Sequence, residues 1–344
     1  TDVRSLIGHA QYPTIYPPAA QGIFSISSLF EPSSLPIRVL GICASLGSVY
    51  CLYCTLKQIN MSAIYVCLMG GHPLFLVETA VTGHVDAFGV FFLTLSMYCV
   101  VMSWEKRAML FVALATLTKL IPVLVVPFIF RSRFKASVSI GLTVVICYAF
   151  LWSDACSPLG SLATFSGKWQ HNGGLVTVFE WVFGRLLDGA DLQLALPTAL
   201  SEWLVGETHV SGTPTLVRLC AKCMTYSLFL AASIWIWRTT CLGIEKGIMI
   251  LAALLLCVPV LHPWYLLWLL PGLPFLWHRG GLTYALPLLW WSWSVLVAYV
   301  ARVQLLNHGT WAPSILGTSI EYIGLCLCLI FAYRNRRGMP ATHQ

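Results

Sequence analysis

The segment HPLFLVETAVTGHVDAFGVFF, residues 72–92, places Glu78, His84 and Asp86 within nine positions. Two carboxylates and an imidazole at that spacing could coordinate a divalent metal such as Mg or Mn, orient an acceptor hydroxyl, or take up its proton. The flanks are apolar, and ionisable groups at membrane depth are costly enough to be read first as functional. Gly83 permits a tight turn between the two apolar stretches. His84 and Asp86 then enter the second stretch at its N-terminus, where free N–H groups and the helix dipole favour an anion. The competing reading leaves Asp86 as a helix cap and Glu78 exposed at the membrane interface.

Four other places carry suitable side chains. Lys119 lies mid-way along ATLTKLIPVLVVP, residues 115–127, where an ammonium needs a phosphate, a buried carboxylate or backbone carbonyls as partner. HPWYLLW, residues 262–268, offers His262, Trp264 and Tyr265 beside a proline-initiated helix, although aromatic residues there also suit an interfacial belt. FSGKWQHNGG, residues 165–174, holds Lys168, Trp169, His171 and Asn172, a palette for a sugar or a phosphate and equally for an interfacial loop. In YPTIYPPAAQGIF, residues 12–24, Pro17 and Pro18 hold the chain extended and then start a helix. Tyr12, Tyr16 and Gln21 would face a cavity there; the alternative is a surface anchor.

The elements that must position these groups are membrane helices. Of the 344 residues 58% are hydrophobic and only 10% charged, with a mean hydropathy of +0.79. Soluble domains average about 25% charged. The chain is therefore read as an all-α polytopic membrane protein, a single domain over 1–344. Apolar runs occur at 36–56, 62–80, 84–103, 136–153, 213–237, 246–261, 282–302 and 316–333. With broken or re-entrant segments added, they predict about eight to ten transmembrane segments. Basic residues at segment ends, Lys106 and Arg107 on one side of 107–130 and Arg131, Arg133 and Lys135 on the other, both want the cytoplasm. A hairpin broken near Lys119–Pro122 resolves this, because each half of about 12 residues reaches only about 18 Å. The tail 334–344 is then cytoplasmic. Residues 1–35 and the long loop 154–212 lie outside, the latter carrying an amphipathic surface helix over Gly174–Leu187. The 13 cysteines fall mainly in apolar runs and do not suggest a disulfide framework, and the net charge of +7 belongs to orientation rather than to nucleic-acid binding.

Five segments in order carry a resemblance that spans nearly the whole chain: GHAQYPTIYPPAAQ at 8–21, HPLFLVETAVTGHVDA at 72–87, LTKLIPVLVVP at 117–127, WQHN at 169–172 and HPWYLLWLLPGL at 262–273. Together they resemble the polytopic GT-C glycosyltransferases, and most closely the mannosyltransferases of glycosyltransferase family 87. The resemblance implies inverting transfer of a sugar, mannose first, from a polyprenyl-phosphate donor to a glycan or lipid acceptor at the extracytoplasmic face. It gives Asp86 and Glu78 the task of orienting the acceptor or holding a metal, with His84 supporting them. Lys119, and Lys168 second, would meet the donor phosphate, with Tyr16 and Gln21. Tyr12, Trp169, Asn172, His262, Trp264 and Tyr265 would contact substrate. The partners implied are the donor, the acceptor, membrane lipid and a membrane complex, in a bacterial plasma membrane or, in a eukaryote, the endoplasmic reticulum.

The chain departs from the family pattern at Gly8 and His72, where asparagine is common, and at Val85. The resemblance also implies a catalytic acid in a first loop upstream of Thr1. Two rival readings are a transporter or flippase for a lipid-linked sugar, and a non-catalytic membrane subunit of a larger complex.

Overall fold

A computed structural model describes residues 14–30, 33–130, 132–150, 171–187, 215–239, 243–308 and 314–336. Among these residues no strand occurs; the β pairing is limited to two isolated bridges, from His171 and from Asn172 to Val260. The chain is an all-α polytopic membrane protein. Its longer helices are α1 (Pro18–Ser28), α2 (Leu35–Gln58), α3 (Asp86–Val101), α4 (Glu105–Thr118), α5 (Arg133–Phe150), α6 (Gly174–Leu186), α7 (Thr215–Arg238), α8 (Gly243–Cys257), α9 (Leu273–Ser294), α10 (Tyr299–His308) and α11 (Ile315–Arg336).

Among the described residues five helical stretches are long and apolar enough to cross a bilayer. A sixth crossing is added if the pair Ala63–Gly70 and Pro73–Val81, bent by 60°, counts as one broken span. The expectation of about eight to ten segments covers the whole chain and also takes in shorter apolar runs such as α3. At 1.5 Å per residue, the 16 residues of α3 reach about 24 Å, short of a core of about 30 Å.

These short helices form the centre. α3 packs on α2 and α4, and the 3₁₀ segment Pro263–Gly272 lies against α3. Leu266, Leu267, Trp268, Leu269 and Leu270 of that segment are wholly buried. Polar groups inside are satisfied locally: Ser45, Ser48 and Thr55 return their hydroxyls to carbonyls one turn back. Ser96 of α3 donates across to the Ala108 carbonyl of α4 at 2.9 Å, tying the two helices together. His72 caps the Pro73 turn, its Nδ1 accepting from Leu74 N–H, and its Nε2 meets Ser292 of α9 at 3.0 Å. By contrast α5, α7 and α11 turn Val145, Phe150, Leu230, Trp235, Ile323 and Leu327 outward, as helices facing hydrocarbon do.

The expected interruptions are present. α4 stops at Thr118 and Lys119 is extended (φ −158°, ψ 133°), followed by a 3₁₀ turn Ile121–Val125 containing Pro122. Proline removes the N–H that would continue the helix. α1 begins at Pro18 with Pro17 extended before it, as the Pro-Pro step requires. α6 runs along the stretch predicted to be amphipathic, with Val178, Trp181 and Leu186 outward. A kink that the sequence reading did not anticipate divides α9 at Gly280–Gly281.

Candidate active site

The site assembles where three interrupted elements meet. A π-helical turn, Val77–Val81, carries Glu78. The chain then reverses at Gly83, whose φ of +69° is a conformation few side chains tolerate, and whose open side is filled by Arg38 of α2. Asp86 follows in the first turn of α3, where the helix dipole stabilises a carboxylate.

Asp86 is wholly buried. Its Oδ1 accepts from Lys119 Nζ at 2.7 Å and from Trp268 Nε1 at 2.6 Å. Its Oδ2 is also buried and has no hydrogen-bond partner among the described residues. Lys119 reaches it because α4 ends just before that residue, and Trp268 because its ring comes close to α3 at Gly89. A Cβ at Gly89 would run into that ring. The ammonium of Lys119 also sits 3.5 Å from the centroid of Tyr265, a cation–π contact in a desolvated place. Tyr16, ahead of α1, borders the pair: burial first, and then the Asp86 charge, push its phenol up to about 12. Gln21 donates its side-chain amide to the Tyr16 carbonyl at 2.9 Å, so it fixes the strip that carries Tyr16.

Glu78 is equally buried, and its reading as an exposed interfacial residue is corrected. Its Oε1 accepts from Tyr299 and its Oε2 from Thr82, with His84 Nε2 3.8 Å away. Asp86, likewise, spends Oδ1 on Lys119 and Trp268 and makes no side-chain cap to its own helix.

Beside the carboxylates stands a column of rings. His84 stacks on Trp264 (3.9 Å, 19°), Trp264 on His262 (4.2 Å, 11°), and His171 approaches His262 at 5.0 Å. Burial first, and then the charges of His171, Lys119 and His84, hold His262 down to about 3. Burial also lowers His171. Both are therefore neutral at physiological pH. The His171–Asn172 turn is clamped from two sides. His171 N–H donates to the Pro259 carbonyl and Leu261 N–H to the His171 carbonyl, at 3.1 and 2.7 Å. From α11, Glu321 accepts the Asn172 amide at 3.0 Å and the Trp291 indole at 2.9 Å, while Tyr322 donates to the Asn172 carbonyl at 2.7 Å.

The structure thus brings together Asp86, Lys119, Tyr16 and Tyr265 around one buried pair, and His84, Trp264, His262 and His171 in the adjoining column. Asn172 stands at the edge, its amide engaged by α11, and Gln21 behind Tyr16. Tyr12, Lys168 and Trp169 lie outside the described residues. Among the described residues no three His, Cys, Asp or Glu side chains converge on a point that could hold a metal. Asp86 Oδ1 and both oxygens of Glu78 accept N–H or O–H donors, and Asp86 Oδ2 is the oxygen that stays open. Sequence reasoning missed Trp268, Tyr299 and Glu321. Glu321 lies in the apolar run 316–333, and the rule that singled out Asp86 would have found it; nothing local marks the other two.

A charged pair buried among broken helices in a multi-pass membrane protein is a candidate place for a polar ligand. Over residues 14–261 the chain matches the family model of glycosyltransferase family 87, and it belongs to that family; it is a membrane glycosyltransferase. The match takes in Asp86, Lys119 and His171; His262, Trp264, Tyr265, Trp268, Tyr299 and Glu321 follow it. No curated protein and no solved structure matches the chain significantly.

Proposed function

We propose that the chain transfers a sugar, mannose in the first instance, from a polyprenyl-phosphate donor to a hydroxyl of a glycan or lipid acceptor. Transfer is proposed to occur with inversion, at the extracytoplasmic face, and this is the face we assign to the start of α3. The observation that supports this most is the buried Asp86–Lys119 pair with one carboxylate oxygen left open.

The open Oδ2 can receive the acceptor O–H. As the acceptor oxygen bonds to the anomeric carbon, its proton passes to Asp86. The bond from that carbon to the phosphate oxygen breaks on the opposite side, and its electron pair leaves with the polyprenyl phosphate. Lys119, hydrogen-bonded to Asp86, meets the developing phosphate charge in a site where water is scarce, which strengthens the attraction. Tyr265 and Trp268 fix the two charges from behind. The ring column of His84, Trp264 and His262 offers flat faces and ring nitrogens to sugar hydroxyls, with Glu78 beside His84. A lipid-linked donor suits a centre embedded among helices whose outer faces are apolar, because the prenyl chain can stay in hydrocarbon while the phosphate reaches Lys119. No step here is routed through a metal.

The test is donor choice. Purified protein in lipid nanodiscs should transfer radiolabelled mannose from a polyprenyl-phosphate donor to an acceptor lipid extract, and should not do so from a nucleotide-linked mannose. Transfer from the nucleotide sugar alone would refute the reading. Movement of the intact donor across liposomes without any transfer would favour the transporter.

A further inference from the structure

The end of the bundle remote from Asp86 has a site of its own. α3 leads away from Asp86 for 16 residues, about 24 Å, and α4 returns from Glu105 to Lys119. Ser132 N–H donates to Glu105 at 3.4 Å, so α5 starts at the remote end. There a cavity of about 130 Å³ is lined by Phe128, Arg133, Trp237, Gly243 and Lys246.

Two cations from different helices are pinned into it by one tryptophan. The Arg133 guanidinium lies 4.6 Å over the Trp237 ring, and Lys246 Nζ donates to the Trp237 carbonyl at 3.0 Å. The wall is closed by a tight approach, since a Cβ at Gly243 would strike the Phe128 carbonyl. No carboxylate is among the lining residues. The acids on adjoining elements are engaged elsewhere, Glu105 with Ser132 and Glu245 with Arg279. Outward from the cavity, Phe134, Val138 and Leu142 of α5 and Leu230 and Ile234 of α7 are exposed and apolar.

We propose that this cleft binds the phosphate headgroup of an anionic membrane lipid, whose acyl chains lie along α5 and α7. Two fixed cations with no carboxylate in the lining recognise a phosphate. The apolar flanks select a phosphate that carries hydrocarbon, as basic pockets between membrane helices do. Trp237 lowers the freedom of both cations before the lipid arrives, Arg133 through its ring and Lys246 through its carbonyl. The site is separate from the transfer centre and does not depend on which sugar is transferred.

Native mass spectrometry of the full chain, released from detergent with added lipid, tests it. Wild-type protein should retain phosphatidylglycerol in preference to phosphatidylcholine. The Arg133→Gln/Lys246→Gln double variant should lose that preference, by about thirtyfold if each cation contributes as basic residues near a membrane surface do. The charge-keeping Arg133→Lys/Lys246→Arg variant should retain it, and each single Gln variant should show a part of the loss if the double one fails to fold. Unchanged phosphatidylglycerol retention in the Gln variants overturns the proposal. So does displacement of the lipid by millimolar inorganic phosphate, which would make the cleft a site for the free ion.

Discussion

Asp86 and Glu321 are both wholly buried carboxylates, and each accepts an indole N–H, from Trp268 and from Trp291. They differ in what else reaches them. Asp86 receives a charged ammonium on the same oxygen and leaves its other oxygen open. Glu321 has the neutral Asn172 amide on its second oxygen, so both of its oxygens are filled by groups that stay in place. A carboxylate that is closed off holds architecture together, here the His171–Asn172 turn against α11. A carboxylate that keeps an oxygen open, beside a lysine bonded to its other oxygen, is equipped to receive a substrate and a proton. Burial alone does not separate the two; the partner list does.

That contrast can be broken in several ways. Lys119→Ala should have the largest effect, because it strands the Asp86 charge. A loss of about 3–5 kcal/mol of stability is expected, with loss of transfer. Combining Lys119→Met with Asp86→Asn should recover most of the stability in a thermal melt and none of the turnover. Glu321→Ala leaves Asn172 and Trp291 without an acceptor and should cost about 2–3 kcal/mol. Its turnover should fall far less than that of the Asp86 variants, and equal losses would erase the distinction drawn here.

The histidines give a pH test. His262 binds a proton at about 3 when folded and near 6.5 when unfolded. The unfolded state therefore takes up the proton first as pH falls. The stability this lends is present above the unfolded value and declines as pH drops from about 6.5 towards 3, by about 2 kcal/mol at pH 5. Melting temperature should fall over that range, and His262→Phe should flatten the slope. Last, Gly89→Ala should push Trp268 off α3 at a cost of about 1–2 kcal/mol. Transfer should drop about tenfold as the second donor to Asp86 moves away; unchanged transfer would show that Trp268 is packing only.

Much of this was legible in the chain because its signals are local. Pro17–Pro18 start α1, Gly83 turns the chain before Asp86, and Lys119–Pro122 breaks the apolar run, each through the backbone chemistry of one or two residues. The pairing of Lys119 with Asp86 was less accessible. The sequence left a phosphate, a carboxylate or carbonyls as equal partners for the lysine, and only the packing of α4 on α3 decides among them. Trp268 was read as part of a belt motif, because a tryptophan in an apolar run carries no mark of what its N–H will meet. The π turn at Glu78 and its bond to Tyr299 join residues 221 positions apart, beyond any periodicity. Apolar runs also do not reveal that the short α3 and the Pro263–Gly272 segment are central and buried while α5, α7 and α11 face outward.

The most direct measurement is mannosyl transfer from a labelled polyprenyl-phosphate donor by Asp86→Asn, compared with wild type at matched folded protein. Asparagine keeps the size of the side chain and an oxygen for Trp268, but it removes the charge and the proton acceptor. The account predicts that the variant inserts and folds while transfer falls by a factor of about 10² to 10⁴. Transfer at the wild-type rate would contradict it, and would leave Asp86 as a structural partner of Lys119.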